Sequence, residues 1–176
     1  MDKKEMKTLI KKARQGDSRA FGLLYSEIRT ELFRFALYVL KNYSDAEDAV
    51  QSASISAYKK IGMLKKEDSF KSWYFKILYN ECKNLLSEKS RRYELPQEDM
   101  TLFFRDEAPF EGNFYVKEML SSFSDEDRSV IVLSVLEGYS SKEIGEILGM
   151  NPATVRSKLS RLLAKLRKMT EGEENE

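Results

Sequence analysis

The side chains best suited to do chemistry lie near the C-terminus, in the stretch Tyr139 to Met169. Stepping about 100° per residue places Arg156, Ser157, Ser160 and Arg161 on one outward helix face, with Lys158, Lys165, Arg167 and Lys168 at its flanks and lower end. Between Met150 and Thr170 there are six basic residues and no acidic one. An Arg fork can bind guanine O6 and N7 together, and a Ser reaches base or phosphate, so the chemistry on offer is recognition of DNA in the major groove. Reaction chemistry has almost no support. The chain has no His, which removes Ser-His-Asp and Cys-His arrangements and His-ligated zinc, and no Gly-rich phosphate loop ends in Lys and Ser or Thr. No catalytic residue, metal or cofactor is expected.

That basic face needs a helix held at a fixed angle, and the sequence supplies the stops and starts. Ser140 stands three residues before Glu143, the spacing of a capping box, and opens a short helix carrying Ile144, Ile147 and Leu148. Gly149 ends it. Asn151 caps the next helix, with Pro152 at the first position, where its missing N–H costs nothing. Val155, Leu159, Leu162, Leu166 and Met169 form the inward stripe of that second helix. Helix-turn-helix shapes with a basic face also occur in proteins that never touch DNA; the agreement of caps, stripe and charge favours DNA here.

Two further faces invite a functional reading. A helix over about 70–89 turns Phe70, Trp73, Tyr74, Ile77, Leu78 and Leu85 inward and Phe75, Lys76, Tyr79, Asn80 and Lys83 to the other side. Rings interleaved with amines and an amide suit unstacked bases, which stack on the rings while the amines hold phosphates. The plain alternative is that Phe75 and Tyr79 pack on the second helix, and pattern alone leaves both readings open. A helix from Ser44, capped with Glu47, to about Ile61 has an inward stripe of small residues: Ala46, Val50, Ala53, Ala57 and Ile61. Asp45, Asp48, Gln51, Ser52 and Ile55 fall on its far side, an apolar anchor with a polar rim that resembles a docking patch. A solvated face with one stray Ile remains the alternative.

The opening elements read as core. Residues 2–14 form an amphipathic helix stopped at Gly16, and Asp17 caps a second over about 18–41, with Phe21, Leu24, Tyr25, Ile28, Leu32, Phe35, Ala36, Val39 and Leu40 at three- and four-residue spacing. From about Tyr93 to Gly112 periodicity lapses, two prolines intervene and six acids face one Arg, which reads as a flexible linker. Phe114 to Phe123 and Asp125 to Glu137 make two more helices, the latter capped by Ser124 and turning Val130, Ile131, Leu133 and Leu136 inward. The fold class is therefore all-α: two small helical domains, 1–92 and 113–170, joined by the acidic linker 93–112, the second carrying the helix-turn-helix. The acidic end, Glu171 to Glu176, is expected to be disordered.

A net charge of +1 over 176 residues conceals strong segregation, basic in 1–43, 59–92 and 150–170 and acidic between and after them. Such a chain grips nucleic acid at spaced places and is repelled between them. Its single cysteine, Cys82, excludes an internal disulfide, and its apolar runs are too short to span a bilayer, so a cytoplasmic location without a membrane segment is expected.

The order of parts resembles a sigma factor of bacterial RNA polymerase, of the extracytoplasmic-function class of the sigma-70 family. YSDAEDAVQSASISAYKKI is similar to that family's polymerase-binding helix, SFKSWYFKILYN to its promoter-melting and minus-ten segment, and EGYSSKEIGEILGMNPATVRSKLSR to its minus-thirty-five reader. The resemblance implies core RNA polymerase and promoter DNA as partners, an anti-sigma protein as inhibitor, and no catalysis by this subunit. It assigns polymerase binding to Asp45, Asp48, Gln51, Ser52 and Ile55. It assigns minus-ten contacts to Lys60, Leu64, Phe75, Lys76, Tyr79, Asn80 and Lys83, and minus-thirty-five contacts to Arg156, Ser157, Lys158, Ser160, Arg161 and Lys165. The family often has Ala where Gly145 stands, and a larger ring where Leu64 stands. Two other readings of the residues stay open: a helix-turn-helix regulator that acts without being a polymerase subunit, and a helical adaptor that binds only protein.

Overall fold

Asp17 opens the second helix as read, and Asp2 opens the first. The structure, a computed structural model, describes residues 1–92 and 114–173. In α1 (Lys3–Arg14) the Asp2 carboxylate accepts from the Glu5 amide at 2.8 Å, and in α2 (Ser18–Leu40) that of Asp17 accepts from the Ala20 amide at 3.0 Å. Lys41 ends α2 in the left-handed region, φ 55°, and so turns the chain at once into α3 (Tyr43–Lys60). That turn leaves Asn42 extended, and its side chain accepts from the Asp45 amide at 3.0 Å. The expected Ser44–Glu47 capping box is thereby replaced: Asn42 reaches the orphan amides first. Two short 3-10 turns, Ile61–Met63 and Glu67–Ser69, lead into α4 (Phe70–Arg92).

Helix α2 is the axle of this first group. Leu24, Ile28, Leu32 and Phe35 are fully buried along it, each contributing about 1.5–3 kcal/mol of apolar burial. Ala46, Ala49, Ala53 and Ala57 present almost no side chain on the inner face of α3, which lets α3 lie close to α2 and α4. Tyr74 fills the space so created, and its hydroxyl donates to Ser54 Oγ at 2.9 Å.

The second group is α5 (Phe114–Ser121), α6 (Asp125–Ile131), α7 (Ser141–Leu148) and α8 (Pro152–Glu173). Ser124 caps α6, and α6 runs on as a π turn over Val132–Leu136. The wider π turn shifts the register of the inward stripe. Val132 and Leu133 are buried, whereas Leu136, expected inward, is 37% exposed. Helix α8 continues through Glu173, so the expected disorder from Glu171 does not begin there, and the expected linker 93–112 lies outside the described residues.

The corner between α7 and α8 forms as read. Ser140 and Glu143 make the reciprocal capping box, Gly149 takes φ 73°, and the Asn151 side chain accepts from the Ala153 amide at 2.8 Å. Gly145 is needed for a different reason: a Cβ there would stand 2.6 Å from the Met150 carbonyl oxygen. Absence of a side chain lets the turn fold back onto α7.

The two groups touch. Helix α7 packs on α4, and α6 packs against the end of α2. Helix α4 is consequently covered on two sides, with Phe70, Tyr74 and Leu78 buried toward its own group and Phe75, Tyr79 and Cys82 buried as well.

Candidate nucleic-acid interface and docking groove

The capping box, the left-handed Gly149 and Pro152 fix the angle at which α8 leaves the corner, and its inward stripe, with Val155 and Leu162 buried, fixes its rotation. Rotation then decides which cations face out. Arg156, Ser157, Ser160 and Arg161 are exposed along the first turns, as expected, and Lys165 is exposed further down, its Nζ 4.5 Å from the centre of the Phe123 ring. Lys158 is placed differently. Its ammonium lies 2.7 Å from both Glu126 Oε1 and Asp127 Oδ1, with only 16% of the side chain exposed. These hydrogen bonds raise its pKa. Burial alone would raise that of Asp127, but the hydrogen bonds from Lys158 and Ser124 outweigh it and lower the carboxyl. Lys158 is thus an internal tie in this structure, because the acidic first turn of α6 lies within its reach.

The second predicted face divides in two. Lys60, Lys76, Asn80 and Lys83 are exposed. Leu64, Phe75 and Tyr79 are not, at 3%, 0% and 8% exposure. The Phe75 ring meets Phe35 edge-on at 5.5 Å and Tyr139 at 5.3 Å, and Tyr79 meets Phe35 at 6.5 Å. The expectation that Phe75 and Tyr79 offer open ring faces therefore needs correction, for large rings at that spacing bury more apolar surface between α2 and the second group than solvent would leave them. Burial pushes the Tyr79 hydroxyl up, helped by the nearby Glu126 and Asp125 carboxylates. Lys83 Nζ sits 5.5 Å from the Tyr79 ring centre.

On α3, Asp48, Gln51, Ser52 and Ile55 are exposed, Ile55 by 52%. Asp45 is instead paired with Lys89 of α4 and only 18% of its side chain is exposed. Asp48, Gln51 and Ile55 line a groove of about 910 Å³ between α2 and α3. Its opposite wall was not foreseen: Tyr25 of α2, expected in the core, is only partly buried and lines it with Arg29 and Phe33, and Tyr43 stands edge-on to Phe33 at 5.1 Å. The signal was available, since Tyr25, Arg29 and Phe33 recur at four-residue spacing beside the core stripe of α2. Arg128 was missed too. This guanidinium is 1% exposed and donates to the Phe123 carbonyl at 2.6 Å, the Val39 carbonyl at 3.0 Å and the Asp125 carboxylate. An Arg one turn before Ile131 and Val132 was the only hint.

Comparison with known proteins places both helix groups. The Sigma-70 region 2 family matches residues 24–92, and Sigma-70 region 4 matches 114–166. The ECF RNA polymerase sigma-E factor of Haemophilus influenzae is 31% identical over 173 residues, covering 87% of this chain and 88% of its own. The ECF RNA polymerase sigma factor SigW of Bacillus subtilis is 27% identical and covers 93% of this chain and 95% of its own. Among solved structures, CnrH in complex with the cytosolic domain of CnrY shares the fold at a TM-score of 0.72, with 24% identity and 96% of this chain and 98% of CnrH covered. The sigma factor RpoE of Bartonella quintana, in complex with the anti-sigma factor NepR, does so at 0.72, with 21% identity and 86% and 96% covered. A region 2 group ahead of a region 4 helix-turn-helix, in a chain that matches such relatives over most of both lengths, decides the identity: this protein belongs to the sigma-70 family, in its extracytoplasmic-function class, and is an RNA polymerase sigma factor.

Proposed function

We propose that the α2/α3 groove docks core RNA polymerase, that α8 reads the minus-thirty-five element and that the α4 face with the Lys60 to Ser69 loop holds the opened minus-ten strand. The observation that carries this reading is the separation of charge by face. Asp48, Gln51 and Ile55 border a groove fit for a protein helix, while the outer face of α8 carries Arg156 and Arg161 and the outer edge of α4 carries Lys76, Asn80 and Lys83. Duplex DNA hides its base faces, so a factor that opens it must supply replacements for pairing, and Asn80 can do so with its amide. Residues 1–92 then serve polymerase and the downstream element, and 113–170 the upstream one. The chain makes and breaks no bond, needs no cofactor, and leaves synthesis to the polymerase beside which it works in the cytoplasm. No helix among the described residues is long and apolar enough to cross a membrane. An anti-sigma protein is a fitting partner, since the Bartonella relative is seen in complex with the anti-sigma factor NepR.

The test is transcription by purified chain and core polymerase on promoter DNA. Promoter-specific transcripts that vanish with a folded Asp48→Ala, Gln51→Ala, Ile55→Ala triple variant support the reading. Binding to an inverted repeat without polymerase, and no transcripts with it, would point to an ordinary regulator instead.

A further inference from the structure

We propose that Glu126 and Asp127, in the acidic first turn of α6, set how strongly the reading helix holds DNA by withholding Lys158 from the phosphate backbone. The inference rests on α8 being the helix that faces DNA, and adds to that reading two carboxylates outside α8 that govern its grip.

Three observations carry it. First, the tie is tight. The Lys158 ammonium stands 2.7 Å from Glu126 Oε1 and 2.7 Å from Asp127 Oδ1, and only 16% of its side chain is exposed, whereas Arg156 and Arg161 on the same helix are open to solvent. A phosphate seeking this amine would have to displace two charge-assisted hydrogen bonds instead of water. Second, the charges do not balance: one ammonium answers two carboxylates, so negative charge is left over. Third, that charge lies beside the outward face. Burial would raise the Asp127 carboxyl, yet it is lowered, by hydrogen bonds from Lys158 and Ser124 and by the charges of Lys158 and of Arg161, one turn further along α8.

The acids are also held firmly in place. Ser124 accepts from the Asp127 amide at 3.2 Å, and α6 packs on α8, so the carboxylates are presented by a capped helix start. Acids in a first turn suit the helix dipole and need no cation for that. What the dipole does not explain is their partner, a cation taken from the helix proposed to face DNA. Affinity for DNA of any sequence grows with the number of phosphates neutralised, and the logarithm of the binding constant falls with that of salt by about 0.9 for each. Six cations lie between Met150 and Thr170, and the tie removes one of them from that count. Plain charge then contributes less to the hold on DNA, and the base contact assigned to Arg156 contributes a larger share.

The full chain, without polymerase, is titrated against a short duplex that carries no promoter sequence, at salt from about 50 to 200 mM. Glu126→Gln with Asp127→Asn keeps the shape of the turn, since the Ser124 cap takes only the backbone amide of Asp127, and circular dichroism checks that helical content is kept. Freed, Lys158 should add one phosphate contact. The salt slope should steepen by about 0.9, so that the variant binds more tightly at low salt and loses roughly three- to fourfold more affinity than wild type across that range. In a Lys158→Gln background the same two substitutions should leave the slope unchanged. A slope unaltered or shallower in the doubly substituted chain overturns the inference, since Lys158 would then be a packing tie alone. A steepening that survives Lys158→Gln overturns it as well, because another cation would be responsible. Absence of binding to any duplex, by wild type and variants alike, would remove the α8 reading itself and this inference with it, an outcome distinct from binding with an unchanged slope.

Discussion

Two faces carry the amines, amides and hydroxyls suited to nucleic acid, and they differ in how they are kept. The face of α8 is open along Arg156, Ser157, Ser160 and Arg161, whereas the face of α4 has an exposed edge at Lys76, Asn80 and Lys83 and buried rings at Phe75 and Tyr79. The open face lies on a helix that buries only one stripe; the covered one lies on a helix pressed between two groups. The lesson is that residue type marks a binding face, and packing decides whether the face is ready. A reader of duplex DNA can stand open, since it meets a preformed groove. On the proposed roles, the rings of the α4 face meet unpaired bases only where a strand takes the place of their cover.

The largest expected effect comes from breaking the covered side at Arg128. Arg128→Ala removes a buried guanidinium and leaves the Phe123 and Val39 carbonyls without their donor, so urea denaturation should show a loss of about 1–3 kcal/mol for each carbonyl. A loss under ~1 kcal/mol would mean that the guanidinium is dispensable and the two groups are held together elsewhere.

On the open side, Arg156→Ala should cost about 1–3 kcal/mol at one base of the upstream element and relax preference there, because the residue stands exposed near the start of α8, the end proposed to enter the groove. Arg161→Ala, further along, should weaken all sequences alike and flatten the salt dependence. Titration of both variants against a series of single-base promoter changes checks the difference; identical profiles would remove the distinction between reading and clamping.

A smaller effect should follow at the corner that aims the open face. Ala is favoured over Gly in a helix by about 1 kcal/mol, yet at Gly145 its Cβ would meet the Met150 carbonyl at 2.6 Å. The contact should win, and Gly145→Ala should lose roughly 1 kcal/mol in thermal unfolding as the turn is pushed open. A gain in stability would show that the turn yields freely.

Much of this was legible in the sequence, for local reasons. The caps at Asp17, Ser124, Ser140 and Asn151, the stop at Gly149 and the small-residue stripe of α3 are decided by neighbours in the chain, and the structure has them as read. The replaced cap at Asn42 shows where local reading fails: Ser44 and Asn42 both suit the role, and the left-handed Lys41 chooses between them. Long-range features were silent. Nothing near Phe75 announces Tyr139, nothing near Lys158 announces Glu126, and the paired Arg34 and Glu137 stand 103 residues apart. Those contacts depend on how two helix groups meet, and a one-dimensional pattern records only that each has a face to offer. The α2/α3 groove was half visible for the same reason: Ile55 and Gln51 stand on one helix and the row Tyr25, Arg29 and Phe33 on another, and only the fold sets the two rows side by side.

The central claim is that the open α8 face recruits and the covered α4 face opens the duplex. It is tested most directly by permanganate reactivity of unpaired thymines in polymerase complexes of matched occupancy, comparing wild type with Asn80→Ala, an exposed position on α4. Reactivity should fall for the variant on ordinary promoter DNA and recover on DNA carrying a pre-opened bubble, with upstream binding unchanged. Equal reactivity on ordinary duplex, or a defect confined to upstream binding, would contradict the account.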